Sequence, residues 1–281
     1  MNILLVVFQA ITAVVAVYIS SSKYTGWIDS NSTSFSYDIA KQWIPVNIMF
    51  CGMLFTGMAS LQHNSVPMVT VFKNITNIMI NVGEYYFFGS SIEVLVLAAF
   101  GIMIGGAVFA ARHDVSITLG GLFWMMTNCI STAGYVLYMK YATKTIKLSK
   151  FGMIYYNNIL CTCFLLPYIT FVNGEVSTFV KSKALHTAGY AWRNIFAGMI
   201  GFFLNFASLH CVQTTSPSTY AIVGSLSKIP VAILGWYLFS SVITNETWFF
   251  ICISMGGGFL YSYAKIISTR EQEQGRAVVT K

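Results

Sequence analysis

The chain has 281 residues, 56% hydrophobic and only 9% charged, with a mean hydropathy of +0.67 and a formal net charge of +7. Soluble domains carry roughly 25% charged residues, and here apolar runs near twenty residues recur from end to end. A soluble core with one anchor is thereby excluded, and an all-α polytopic membrane protein is expected.

The first apolar run, 3–19, lacks a basic segment ahead of it and a small-x-small cleavage pattern. It reads as a span and not as a cleaved signal. Nine transmembrane helices are predicted, at 2–20, 44–61, 66–88, 92–111, 117–138, 151–172, 194–212, 216–240 and 247–267. Three longer connections, 21–43, 139–150 and 173–193, separate them, and no soluble domain is present. Residues 1–281 thus form one transmembrane domain.

All six cysteines (51, 129, 161, 163, 211 and 252) fall inside apolar runs, which argues against a disulfide framework and for small packing residues. Cys161 and Cys163 do not have zinc spacing, and His63 and His210 lie near helix ends without clustered acids or thiols. No metal or cofactor is expected.

Lysine and arginine orient the bundle. Lys23, Lys41, Lys140, Lys144, Lys147, Lys150, Lys265, Arg270, Arg276 and Lys281 lie on one side, ten in all. Arg112, Lys181, Lys183 and Arg193, four in all, lie on the other. The C-terminus, with the tail 268–281, is therefore expected in the cytosol and the N-terminus on the far side. The sequon at Asn31 then falls in a cytosolic loop, and the one at Asn245 sits too close to the membrane to be modified. Trp27, Trp43, Trp192 and Trp248 read as interfacial anchors.

Two helices carry a lysine near mid-span, "VPMVTVFKNITNIMINVGEYYFF" (66–88, Lys73) and "PSTYAIVGSLSKIPVAILGW" (217–236, Lys228). Both begin beside a proline. Equivalent helices of a repeat often line a midplane site. Lys228 lies on the fourth helix of a five-helix half, 117–267, and Lys73 on the third of the four helices in 1–111. If the two helices correspond, the first half lacks a helix at its N-terminus.

A lysine at mid-span costs about 2.5–3.5 kcal/mol on insertion scales. Glu84 is the acid well inside a span, but it follows Lys73 by eleven residues, roughly 16 Å along a helix. Either lysine pairs with Glu84 across the bundle, or both remain available to an anionic substrate such as a diphosphate. The sixth span holds "YYNN" (155–158). Asn157 and Asn158 read either as interhelical glue or as amides that recognise the edge of a nucleobase, with Tyr155 and Tyr156 beside them to stack or bond. Asn205 and Ser208 share a helix face, as do Tyr220 and Ser227. The glycines at 101, 105, 106 and 256–258 follow no strand and read as close helix packing.

These segments carry a resemblance. "MIYYNNIL" (153–160) resembles the F-Y-N-N motif of GDP-mannose transporters, and "VGSLSKIP" (223–230) their G-A-L-N-K or G-S-L-N-K motif. "VFKNITNI" (71–78), "FWMMTNCIS" (123–131) and "TSPSTYAIVG" (215–224) are also similar to sequences of that branch of the nucleotide-sugar transporter family.

The resemblance implies a drug/metabolite-transporter fold of ten helices in two inverted five-helix repeats, here 1–111, N-terminally incomplete, and 117–267. It implies a Golgi antiporter exchanging cytosolic GDP-sugar, foremost GDP-mannose, for luminal GMP by alternating access. A homodimer in contact with membrane lipids, and no nucleic-acid partner, go with it. Asn157 and Asn158 would face guanine with Tyr156 and Asn205 nearby, and Lys228, with Lys73, would hold phosphate. Tyr220, Ser208 and the segment Gly224, Ser225, Ser227 would line the sugar end. Ser227 departs from the motif, which has Asn there, and the chain begins at what would be the family's second helix. Those departures admit a non-transporting or regulatory paralogue as the alternative. An enzyme is disfavoured, because acid–base chemistry needs positioned carboxylates or histidines that the spans do not supply.

Overall fold

A computed structural model describes residues 2–21, 35–89, 92–114, 117–146, 148–182, 187–214, 227–239 and 244–279. Among them are ten α-helices and no strand. The helices are α1 (Asn2–Ser20), α2 (Tyr37–His63), α3 (Val66–Phe88), α4 (Val94–His113), α5 (Leu119–Thr145), α6 (Lys150–Pro167), α7 (Glu175–Lys181), α8 (Ala188–Thr214), α9 (Lys228–Phe239) and α10 (Asn245–Val279). One π turn, Tyr168–Val172, continues α6 past Pro167.

Five stretches are long and apolar enough to cross a membrane: Ile3–Ser20, Tyr37–His63, Val94–His113, Phe151–Val172 and Asn245–Ser268. The other four expected spans do not meet that standard among the described residues. In α3 the cause is composition, since Lys73, Asn74, Asn77, Asn81 and Glu84 sit in its 23 residues.

Helix ends follow local chemistry. α3 spans 66–88 as the hydropathy predicts, with Pro67 in its first turn and Gly89 closing it at φ 66° in the left-handed region. Ser149 starts α6 by accepting the Gly152 N–H at 3.0 Å. α2 begins at Tyr37, ahead of the predicted 44, with Asp38 in its first turn and Pro45 inside it. The helix α7, in the connection 173–193, is too short for its periodicity to be read from sequence.

The chain divides into two compact units. The first comprises Met1–Met58 and Tyr138–His210, the second Ala59–Leu137 and Cys211–Lys281. Each takes helices from both sequence halves, so a compact unit is not the same thing as either of the stretches 1–111 and 117–267.

In the first unit α1 packs on α6, and α7 lies against α1 and the π turn. Ile3, Leu4, Val7 and Ile169 are buried together, with Phe8, Leu165 and Phe179 around them. The Leu4 N–H, at the start of α1, donates to buried Glu175 at 2.8 Å. An acid there satisfies a first-turn donor and complements the positive end of the helix.

In the second unit α4 packs along α10, and α3 packs on α9, α10 and α4. Met68, Val71, Phe72, Met125 and Ile251 form its main core. Glycines let the backbones meet. A Cβ on Gly106 would lie 2.6 Å from the Ser254 nitrogen, and one on Gly257 would lie 2.9 Å from the Met103 nitrogen. Gly101, Gly105 and Gly256 face open space instead. Counted from the C-terminal end of each half, and leaving out the short α7, the pairs α4 with α10, α3 with α9 and α1 with α6 join helices of equal rank.

Candidate functional site

Two polar stations carry the predicted residues, one in each unit. In the first unit the YYNN segment lies on α6. Asn157 is 6% exposed, and its Oδ1 accepts the indole N–H of Trp43 at 2.8 Å. Its backbone carbonyl accepts from Asn47 Nδ2, also at 2.8 Å. Trp43 and Asn47 are four apart on α2 and so share a face. Both are fully buried. Trp43 is therefore not the interfacial anchor its sequence context indicates. It is an interior donor, because a buried indole N–H needs an acceptor and Asn157 supplies one. Tyr156 is buried as well, its hydroxyl accepting the Ser36 N–H at 2.8 Å and its ring stacked on Phe35.

Asn158 behaves differently from its neighbour. It is half-buried, and its Nδ2 donates to the Ile154 carbonyl one turn back at 2.8 Å. It lines a cavity of about 190 Å3 within the same unit, together with Gln9, Ala13, Phe50, Gly198 and Gly201. Asn205 and Ser208 lie on α8, but their side chains are outside the described part of the structure.

In the second unit Lys228 is the first residue of α9. It is half-buried, and its Nζ donates to Asn74 Oδ1 at 2.8 Å. Asn74 is 1% exposed, and its Nδ2 donates to the Ser254 carbonyl at 3.2 Å. The Ser254 hydroxyl in turn donates to the Met103 carbonyl at 3.1 Å. A lysine, an amide, a hydroxyl and a backbone carbonyl thus connect α9, α3, α10 and α4. Lys73 precedes Asn74 and is exposed, close enough to Lys228 for their like charges to repel.

Glu84 neutralises neither lysine. Its carboxylate faces Lys265 of α10 at 3.8 Å, and among the described residues no carboxylate pairs with Lys73 or Lys228. Ser227, exposed, stands just before α9, and its carbonyl accepts the Val231 N–H at 3.3 Å. Of the continuous helix expected over 216–240, the described part is α9. Tyr220, Gly224 and Ser225 fall outside the described residues, as does the sequon at Asn31.

A lysine at a helix start is unusual on dipole grounds. It becomes favourable when an anion is bound there, since the first-turn N–H groups lack intrahelical acceptors and already attract negative charge.

The profile of the Triose-phosphate Transporter family matches residues 2–262. The chain belongs to that family. Within the family it is 32% identical to a protein named GDP-mannose transporter 1 from Neosartorya fischeri and to one named GDP-mannose transporter from Aspergillus clavatus. A third relative, a GDP-mannose transporter of Aspergillus oryzae, is 31% identical. In each case the alignment covers 98% of this chain and 75% of the relative. This pattern fits the GDP-mannose transporter branch of the family. The relatives are named as transporters and not as enzymes.

Lys228 and Asn157 stand out in the sequence as site residues; Asn74, Ser254, Asn47 and Gln9 do not, and Trp43 stands out only as an anchor. The signal for Asn74 was available. It stands beside Lys73 in a helix that carries two further amides, Asn77 and Asn81, and amides at membrane depth require partners.

Proposed function

We propose that the protein transports a GDP-sugar, foremost GDP-mannose, across a Golgi membrane in exchange for GMP. The observation that carries this reading is Lys228. It is a half-buried cation at a helix start, held by a neutral amide and not by an acid. Among the described residues no acid competes for such a group, and a diphosphate is an anion matched to it. The names of the relatives supply the sugar nucleotide.

Lys228, joined by Lys73, binds the diphosphate. Asn158, facing the cavity, selects guanine, and Asn157, its amide oxygen engaged by Trp43, holds that segment in place with Tyr156; the resemblance adds Asn205 to the same end. The resemblance assigns the sugar end to Ser208, Tyr220, Gly224, Ser225 and Ser227. Two repeats alternate access to the ligand by rocking. The protein works as a homodimer with its C-terminus in the cytosol.

Reconstituted proteoliposomes loaded with GMP test the reading. Wild-type protein takes up GDP-mannose, and Lys228→Ala abolishes uptake. Full activity in Lys228→Ala removes that residue from the site. Absence of both GMP binding and uptake in the wild type favours the alternative, a non-transporting paralogue, for which the serine at 227 is the motivating observation.

A further inference from the structure

Gln9 is a half-buried amide in the middle of α1, a helix otherwise built almost wholly from apolar residues. Among the described residues its side chain has no hydrogen-bond partner. An amide in an apolar helix that makes no bond within the protein is left to serve water or a ligand. The side chain faces the cavity of about 190 Å3 that Asn158 also lines.

The rest of that cavity has the character of a slot. Ala13 on α1 and Gly198 and Gly201 on α8 contribute small side chains or none, and Phe50 on α2 provides an aromatic wall. Gly198 packs so closely on α1 that a Cβ there would lie 2.7 Å from Thr12. The volume is below the roughly 300–1,000 Å3 of pockets that enclose a whole drug-sized ligand. It fits a single flat heterocycle whose remaining groups extend outward. The polar groups presented are two amides. Asn158 spends one amide hydrogen on Ile154 and keeps its oxygen and a second hydrogen. Gln9 keeps both ends.

Two amides from facing helices match the hydrogen-bonding edge of guanine. One carbonyl and one N–H read the ring N–H and the ring oxygen. A second carbonyl is then required for the exocyclic 2-amino group. We propose that Gln9 is a specificity-determining residue that accepts the 2-amino group of guanine, beside Asn158, in this cavity. The inference rests on the nucleotide-sugar reading given above and adds to it the residue that separates guanine from purines lacking the 2-amino group.

The experiment compares GMP with IMP, whose base differs from guanine only in lacking that amino group. Both compete against GDP-mannose uptake by the full chain in proteoliposomes, in the wild type and in Gln9→Met, an apolar side chain of similar length. Wild type should prefer GMP by about tenfold, the worth of one hydrogen bond to the bound base. In Gln9→Met the preference should collapse toward unity, with IMP competing as before. A ratio is insensitive to how much protein folds. Should Gln9→Met fail to accumulate, Gln9→Asn, which withdraws the amide by one methylene, is read the same way.

An unchanged ratio overturns the inference while leaving the transport reading intact, and assigns the amide to cavity water only. Equal loss of both competitors overturns it too, because Gln9 then shapes the slot without reading the 2-amino group. No competition by any nucleotide in the wild type overturns the transport reading itself.

Discussion

Lys228 and Asn74, on α9 and α3 and 154 positions apart in the chain, meet at 2.8 Å with the ammonium donating to the amide oxygen. The orientation of that amide is fixed from both ends, because its nitrogen is engaged by Ser254. A flipped Asn74 would set donor against donor at Lys228 and acceptor against acceptor at the Ser254 carbonyl. Asn74→Ala leaves Lys228 without its acceptor and the Ser254 carbonyl without its donor. The expected result is a loss of about 1–3 kcal/mol in stability and at least a tenfold fall in GDP-mannose uptake, read from thermal unfolding in detergent and from proteoliposome transport.

Asn74→Asp separates geometry from charge. It keeps the contact with Lys228 but sets an anion against it and gives up the donation to the Ser254 carbonyl, so phosphate binding is lost and thermal unfolding, read alongside, reports the cost of that second contact. Uptake at the wild-type level in Asn74→Asp would show that the charge on Lys228 is not what the substrate uses.

The Trp43 contact predicts a stability effect with little bulk change. Trp43→Phe removes the N–H and leaves the buried Asn157 oxygen short of a donor. It should cost about 1–3 kcal/mol, whereas a change at a surface anchor falls within about 0.5 kcal/mol. Equilibrium unfolding of the two proteins in the same detergent distinguishes these values.

Two adjacent glycines give a paired prediction. Gly106→Ala pushes a methyl into the Ser254 backbone, where no side chain can yield, and should destabilise by about 1–3 kcal/mol as overpacking does. Gly105→Ala meets nothing within 4 Å and should leave the melting temperature unchanged or raise it slightly. Equal behaviour of the two variants would contradict the α4–α10 packing.

Orientation is tested separately. A C-terminal epitope should be digested by protease added outside sealed Golgi vesicles, following the lysine and arginine bias. Asn245 should carry no glycan, since it is the first residue of a membrane-entering helix. Protection of the epitope reverses the proposed topology.

What was legible in the sequence follows from what hydropathy measures. The apolar period placed α1, α3 and α4 to within two residues, because membrane burial is decided residue by residue. α2 extends seven residues ahead of the span that hydropathy predicts, because Lys41, Trp43 and Pro45 resemble a boundary, although a proline within a membrane helix is tolerated where neighbours satisfy the freed carbonyl. The site was half legible. Charge and amides in an apolar run mark Lys228 and Asn157 as costly and therefore purposeful. Which partner each one holds depends on helix pairing between distant segments, as in Asn157 with Trp43 or Lys228 with Asn74. That information is absent from any local window of sequence.

Helix α10 has 35 residues, of which the membrane-crossing stretch ends at Ser268. At 1.5 Å per residue the remaining turns add about 16 Å. Their sequence carries Arg270, Glu271, Glu273 and Arg276, a mixed-charge composition in place of the apolar one. The last span is thus prolonged as one continuous helix beyond its apolar stretch. A fluorescent or affinity module fused there would turn with the second unit, α10's own, rather than drift on a loose tether. Its rotation would report that unit's motion during turnover.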